Sequence, residues 1–211
     1  MGDWFLRWFT SGAFLILALY FSAPIFHLIK SRSEKARLYR RLTAGKLNPK
    51  GFEMRMELGE IYARSKRWSR AESELREAAE IDPEHAHCQS LLGICLFHQG
   101  KHEEAVKHFE RALELRPSEG YGRTQVLLAR SYEALENTER AAEWYQAALE
   151  RNLSICEPAY RLGVLNRNRE KKEEAKQNFQ EAVRRFSPTD RNNYWKNLRY
   201  SLMAKFQLVA L

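Results

Sequence analysis

The chain has 211 residues, of which 44% are hydrophobic, which is enough for a folded core and for one or two domains. Its formal charge of +8 is concentrated in residues 30–50, which hold eight Lys or Arg against one Glu, whereas the residues after 50 hold 26 basic and 25 acidic side chains. The near-neutral main part argues against a DNA- or RNA-binding protein, and three cysteines without paired spacing argue against a disulfide framework.

Residues 1–30 are predicted to form an amino-terminal membrane anchor. The run 8–29 contains 22 residues without Asp, Glu, Lys or Arg. As a helix it would span about 33 Å, enough for a hydrocarbon core of about 30 Å. A cleaved signal peptide is the alternative, but the basic residues follow the apolar run, and the residues after Ser22 make a poor cleavage site.

Residues 31–51 are predicted to form a basic helix next to the membrane. The cations expected near anionic headgroups are Lys30, Arg32, Lys35, Arg37, Arg40 and Arg41. By the positive-inside rule, the amino terminus lies outside and the remainder of the chain in the cytoplasm. We therefore expect a single-pass protein of the bacterial inner membrane. A stop-transfer charge cluster without a further role is the alternative for this segment.

A pattern with a fixed step of 34 residues occupies the next part of the chain. Counted from the first residue of each unit, at 52, 86, 122 and 156, the eighth column holds Gly59, Gly93, Ala129 and Gly163, and the twenty-seventh holds Ala78, Ala112, Ala148 and Ala182. The twenty-fourth column holds the bulky residues Leu75, Phe109, Tyr145 and Phe179. Two short amphipathic segments per unit predict helix pairs, which must stack on their neighbours to bury their apolar stripes.

The pattern resembles the tetratricopeptide repeat family, whose first helix carries Leu-Gly-x-x-Tyr. Residues 58–62 match it, as do residues 128–132 with Ala129 in place of glycine. The resemblance implies an all-α fold, a right-handed superhelix (α-solenoid) of four helix pairs after one transmembrane helix. The four repeats are expected at 52–85, 86–119, 122–155 and 156–189, with Gly120 and Tyr121 as a two-residue insertion.

A carboxy-terminal capping helix is predicted within residues 190–211. Tyr194, Trp195, Leu198, Leu202 and Phe206 form one apolar stripe of this helix. The stripe is expected to pack back on the fourth repeat. Docking of the apolar carboxy terminus on a partner or on the membrane is the alternative.

The family resemblance also implies a concave groove lined by the first helix of each repeat. The expected groove residues in this chain are Met56, Glu60, Arg64, His87, Ile94, Phe97, His98, Arg123, Val126, Arg130, Tyr160, Val164 and Arg167. Arginines over an aliphatic and aromatic floor suit a peptide or helix with acidic and apolar side chains.

No stretch matches a phosphate loop, a nucleophile elbow or a zinc-protease helix, so we expect neither enzymatic activity nor a cofactor. One histidine- and cysteine-rich cluster surrounds the second repeat: His85, His87, Cys88, Cys95, His98, His102 and His108. A metal site needs three or four of these side chains to converge. A metal-dependent activity at this cluster is therefore the alternative from a different functional class.

These observations predict a membrane-anchored scaffold that binds partner proteins in its groove and assembles them at a membrane complex. Membrane lipids and transmembrane partners of residues 8–29 are further expected contacts. One alternative is a structural subunit of a larger membrane complex. Another is a receptor of the mitochondrial outer membrane, because an anchor followed by basic residues and repeats also resembles the import receptors of that membrane.

Overall fold

The computed structural model describes residues 33, 36–37, 48, 51–151, 155–187 and 193–210. From residue 51 onward, the described part contains nine α-helices, one short 3₁₀ turn at Glu119–Gly122 and no strand. The α-helices are α1 Phe52–Arg64, α2 Trp68–Ile81, α3 Ala86–His98, α4 His102–Leu115, α5 Arg123–Ala134, α6 Thr138–Arg151, α7 Glu157–Asn168, α8 Lys172–Arg184 and α9 Tyr194–Ala210. The predicted all-α class and paired helices are confirmed.

The predicted anchor, residues 1–30, lies outside the described residues, and so does most of the predicted basic helix. Among the described residues, no helix is both long enough and apolar enough to cross a bilayer. The boundaries of the anchor and of the basic helix therefore remain predictions, as do those of the four repeats.

The chain divides into two compact units, one ending at Asp82 and the other beginning at Pro83. In the first unit, α1 and α2 form a helix hairpin whose buried residues include Leu58, Leu75 and Ala78. The second unit contains the hairpins α3–α4, α5–α6 and α7–α8, followed by α9. Its core includes Phe109, Tyr145 and Phe179, all fully buried.

Close packing within each hairpin explains the small residue in the eighth column. A Cβ placed on Gly93 would lie 2.7 Å from the Phe109 ring, and one on Gly163 would lie 2.5 Å from the Phe179 ring. In these two hairpins, the first helix can approach the second this closely only because the eighth column has no side chain. The large residue of the twenty-fourth column then fills the space that remains.

Each hairpin turn passes through one left-handed residue at the fifteenth column: Lys66, Gly100, Glu136 and Glu170, with φ of 56°, 77°, 60° and 61°. Only the second repeat has the glycine that this conformation favours. The insertion in the third repeat is also left-handed, with Gly120 at 72° and Tyr121 at 48°. Helix α5 then begins at Arg123, with Gly122, the expected first residue of the third repeat, as its N-cap.

Helix α9 packs on α7 and α8, as expected, but not with the predicted stripe. Its buried residues are Asn197, Ser201 and Ala204. Asn197 Oδ1 accepts a hydrogen bond from the backbone N–H of Cys156 at 3.3 Å, at the start of α7. Trp195, Leu202 and Phe206 of the predicted stripe face outward and are 79%, 54% and 74% exposed, whereas Tyr194 and Leu198 are partly buried. The prediction that the stripe faces the repeats was wrong for Trp195, Leu202 and Phe206, because it weighed apolar area alone. The observed orientation of α9 instead provides an acceptor for the buried N–H of Cys156. The small side chains of Ser201 and Ala204 allow α9 to approach the repeats closely.

Candidate functional site

The candidate site lies on α3, α5 and α7, the first helices of the three hairpins in the second unit. Side-chain contacts connect these helices in sequence. Ser90 Oγ lies 3.2 Å from Thr124 Oγ1 between α3 and α5. Arg161 Nη1 of α7 donates to Glu133 Oε2 of α5 at 2.9 Å. The residues that the repeat pattern assigned to one groove are therefore carried by helices that contact one another.

Most of the predicted groove residues of this unit are accessible. The partly exposed ones are His87, Ile94, Phe97, Arg130, Tyr160 and Val164, and the exposed ones are His98, Arg123 and Arg167. Val126 is the exception, because it is buried in the core between the helices. It supports the surface from beneath and cannot contact a ligand in this structure.

The remaining predicted groove residues belong to the first unit. Met56 is buried. Glu60 and Arg64 form an ion pair at 2.6 Å along α1. Because these three residues belong to the first unit, they are not part of the candidate site, which is the surface of the second unit.

Phe97 and Arg130 form the centre of this surface. The Arg130 guanidinium carbon lies 4.9 Å from the centre of the Phe97 ring, which is the geometry of a cation–π contact. The rings of His98 and His102 meet the Phe97 ring edge-on, each with centroids 5.4 Å apart. This packing fixes an aromatic ring and a guanidinium before any ligand binds.

Glu157, the first residue of α7, holds Arg130 from the other side. Glu157 is fully buried, and its Oε1 lies 3.8 Å from Arg130 Nη1 and 3.2 Å from Arg161 Nε. Lys196 Nζ of α9 lies 2.7 Å from Glu157 Oε2. One buried carboxylate therefore orders cations from three different helices. Burial alone would raise the pKa of Glu157, but Lys196, Arg161 and Arg130 outweigh burial and keep the pKa below its ordinary value.

The network continues to α6 through Glu133. The Tyr145 hydroxyl donates to Glu133 Oε2 at 2.6 Å. Burial raises the pKa of Tyr145 far above its ordinary value, so the hydroxyl stays protonated and remains a donor. Sequence reasoning missed Glu133, Tyr145, Glu157, Arg161 and Lys196. One signal in the sequence could have indicated this network. Arg130 and Glu157 have opposite charges and lie on the first helices of neighbouring hairpins, α5 and α7.

Helix α9 completes the far end of the surface. The rings of Tyr160 and Tyr200 lie 5.6 Å apart, and Arg167 donates to Gln207. Tyr160 also packs against Phe179 in the core, with centroids 5.8 Å apart. The capping helix thereby holds two predicted groove residues in position.

The histidines of the predicted histidine and cysteine cluster contact different partners. His85 accepts a hydrogen bond from the backbone N–H of Cys88 at 3.1 Å, and His87 Nδ1 lies 2.9 Å from Glu119 Oε1. His108 Nδ1 lies 2.8 Å from Gln89 Oε1. Cys88 and Cys95 are both buried. Among the residues that the structure describes, no three His, Cys, Asp or Glu side chains come together as metal ligands.

Of the predicted membrane-surface cations, only Arg37 is described, and it is exposed. Lys30, Arg32, Lys35, Arg40 and Arg41 lie outside the described residues, so their expected role stays a prediction. The chemistry of the described surface is that of a binding site. It combines partly exposed apolar and aromatic side chains with arginines whose positions are fixed by packing and ion pairs.

Comparisons with known proteins agree with this architecture. Models of the tetratricopeptide repeat match residues 52–118, 84–154 and 159–189. A search of the curated proteins finds no match.

Among solved structures, a crystal structure of MamA is 19% identical with a TM-score of 0.64, covering 74% of this chain and 85% of that one. MamA from Desulfovibrio magneticus RS-1, from residue 41 to its end, is 18% identical with a TM-score of 0.63 and covers 76% and 97%. At these identities, the likeness concerns the fold alone. The repeat models together match more than half of the chain, and the protein therefore belongs to the tetratricopeptide repeat family.

Proposed function

We propose that the second unit binds a peptide or helix of a partner protein across α3, α5 and α7, and that the ligand combines acidic and apolar side chains. The repeats mark the chain as a scaffold for protein–protein interaction. The observation that carries the finer proposal is the arrangement of Arg130 above Phe97, 4.9 Å from the ring centre.

Arg130 is suited to a carboxylate because its side chain is partly exposed, at 34%, and its guanidinium is already oriented. Its distance of 3.8 Å to Glu157 leaves donor N–H groups for an incoming acidic side chain. Arg123 and Arg167 add exposed cations on α5 and α7. Ile94, Phe97 and Val164 offer apolar contact between them, which favours side chains such as Leu or Phe on the ligand.

The chain would act without catalysis and without a cofactor. The central carboxylate, Glu157, is paired with cations and held ionised by a lowered pKa, which suits a fixed counter-ion and not a proton donor at neutral pH. A metal-dependent activity has a direct test. Stoichiometric zinc, copper or iron in the purified protein would contradict the proposal.

The scaffold would be held at a membrane by residues 8–29, with the repeats in the cytoplasm. The sequence supports this through the uncharged run and the basic residues that follow it. Protease added to sealed cells should then leave the repeats intact. Digestion of the repeats would show that they lie outside the cell and that the proposed orientation is wrong.

Selection from a displayed library of short random peptides on the full chain, held in detergent micelles, tests the groove. We expect the recovered peptides to carry Asp or Glu beside large apolar residues. The double variant Phe97→Ala/Arg130→Gln should bind them about tenfold more weakly or worse, a loss of about 1.4 kcal/mol or more.

The matched control is Arg140→Gln, which removes an exposed arginine of α6 that pairs with Glu143 at 3.1 Å. It should bind the peptides as the unaltered chain does. Circular dichroism of both variants checks that the helices persist. Recovery of peptides without acidic residues, or binding by the double variant that equals binding by the unaltered chain, would show that the proposed site on α3, α5 and α7 is wrong.

A further inference from the structure

The outer face of α9 carries an apolar stripe that contrasts with the face packed on the repeats. The stripe consists of Trp195, Leu202, Phe206 and Val209, which are 79%, 54%, 74% and 89% exposed. At about 100° per residue, these four side chains fall within about 60° of the helix circumference. The inward face is made by Asn197, Ser201 and Ala204 instead. A terminal repeat helix ordinarily presents a polar outer face, so the reversed pattern indicates a contact surface.

The charges of α9 determine what kind of surface fits this stripe. Tyr194–Ala210 contains Lys196, Arg199 and Lys205 but no Asp or Glu. On the helix circumference, Arg199 lies about 20° beyond the edge of the stripe at Phe206, and Lys196 and Lys205 lie farther out on its two sides. The buried carboxylate of Glu157 pairs with Lys196 from the packed side. A helix with Trp, Phe and Leu outward and cations beside them is typical of a helix lying in the headgroup region of an anionic bilayer.

We propose that α9 lies flat on an anionic lipid surface, with Trp195, Leu202, Phe206 and Val209 inserted between headgroups and with Arg199 and Lys205 bound to lipid phosphates. This inference goes beyond the groove and does not depend on it. A second copy of the chain is a poorer occupant, because two α9 faces without acidic residues would bring Arg199 and Lys205 of each copy toward those of the other. Tryptophan at the boundary and flexible Lys and Arg side chains are what such a bilayer contact requires.

The experiment reads the environment of α9 itself, in the full chain, with the fluorophore NBD attached to Val209→Cys. Cys88, Cys95 and Cys156 are buried, which favours labelling at the exposed position 209. The labelled chain is reconstituted into vesicles of phosphatidylcholine alone and of phosphatidylcholine with phosphatidylglycerol. We expect a blue shift and a rise in emission only with the anionic lipid, and a weaker effect at high salt.

The variant Trp195→Gln/Leu202→Gln/Phe206→Gln, carrying the same label, should lose the shift. Its three altered side chains are exposed, so the packed face is unchanged. The matched control Ile81→Gln/Tyr121→Gln removes two exposed apolar side chains elsewhere and should keep the shift. Because the readout is local to α9, it is independent of peptide binding and of whether residues 8–29 span the bilayer.

Three outcomes would overturn the inference. The first is an unshifted spectrum with both kinds of vesicle. The second is an equal shift with both kinds, which would remove the role of charge. The third is a shift that grows with protein concentration in lipid-free detergent, which would assign the face to a second copy.

Discussion

Glu157 shows how one residue can organise a binding surface without contacting the ligand. It is fully buried at the start of α7, and it orders Arg130, Arg161 and Lys196 from α5, α7 and α9. Removal of one partner from a buried ion pair leaves uncompensated charge and is more costly than loss of a surface pair. Here the unpaired cations are partly exposed, so water offsets a part of that cost.

The variant Glu157→Gln tests this role through the dependence of stability on pH. Because the pKa of Glu157 is lowered on folding, its stabilisation is complete above the unfolded-state pKa of about 4.3 and is lost as pH falls through the lower folded pKa. At pH near 7, we expect the variant to lose about 2–3 kcal/mol in urea unfolding.

The difference between Glu157→Gln and the unaltered chain should shrink as the pH falls below about 4.3, where the carboxylate of the unfolded chain takes up a proton while that of the folded chain stays ionised. Glu150→Gln, an exposed position on α6, is the control and should have little effect at any pH. A constant difference across the acid range would show that the network is not held by the charge of Glu157.

At the scale of the helix, the repeat columns predicted the packing within each hairpin well. The small residue and the large residue that faces it recur at fixed columns of the repeat, so the sequence reports them directly. The contacts between hairpins were harder to predict. Glu157 resembles any acidic residue in the first turn of a helix, and only the stacked helices bring it to Arg130.

The predicted face of α9 was wrong for a related reason. Hydrophobic periodicity identifies an apolar stripe but not the surface that it meets. The hydrogen bond from the Cys156 N–H to Asn197 and the small side chains of Ser201 and Ala204 decide the orientation. These contacts join residues about forty positions apart, and no local pattern reports them.

Gly93→Ala tests the packing between α3 and α4. The new Cβ would lie 2.7 Å from the Phe109 ring, so the helices must separate or the ring must shift. We expect a loss of about 2–3 kcal/mol, measured by urea unfolding.

Gly100→Ala is the matched comparison, because no atom lies within 4 Å of its Cβ and its φ is 77°. It should lose about 1 kcal/mol through backbone strain alone. An equal or smaller loss for Gly93→Ala would mean that the small column does not set the helix separation.

At the scale of the molecule, the chain combines a predicted bilayer anchor with repeats that form an interaction scaffold. The second unit supplies a prearranged surface on α3, α5 and α7, and α9 supplies an outward apolar face. We propose that these features serve one purpose, in which the groove holds a partner while the ends of the chain contact the membrane. The near-neutral charge of residues beyond 50 agrees with a ligand chosen by local contacts and not by long-range attraction.

Site-specific photocrosslinking in living cells tests the groove most directly. A photoreactive amino acid is placed at Ile94 or Val164 on the inner helices, and at Gln177 on the exposed side of α8 as the control. We predict that a discrete partner is crosslinked from positions 94 and 164 and not from position 177. Crosslinks from position 177 alone, or none from either inner position, would contradict the proposed groove.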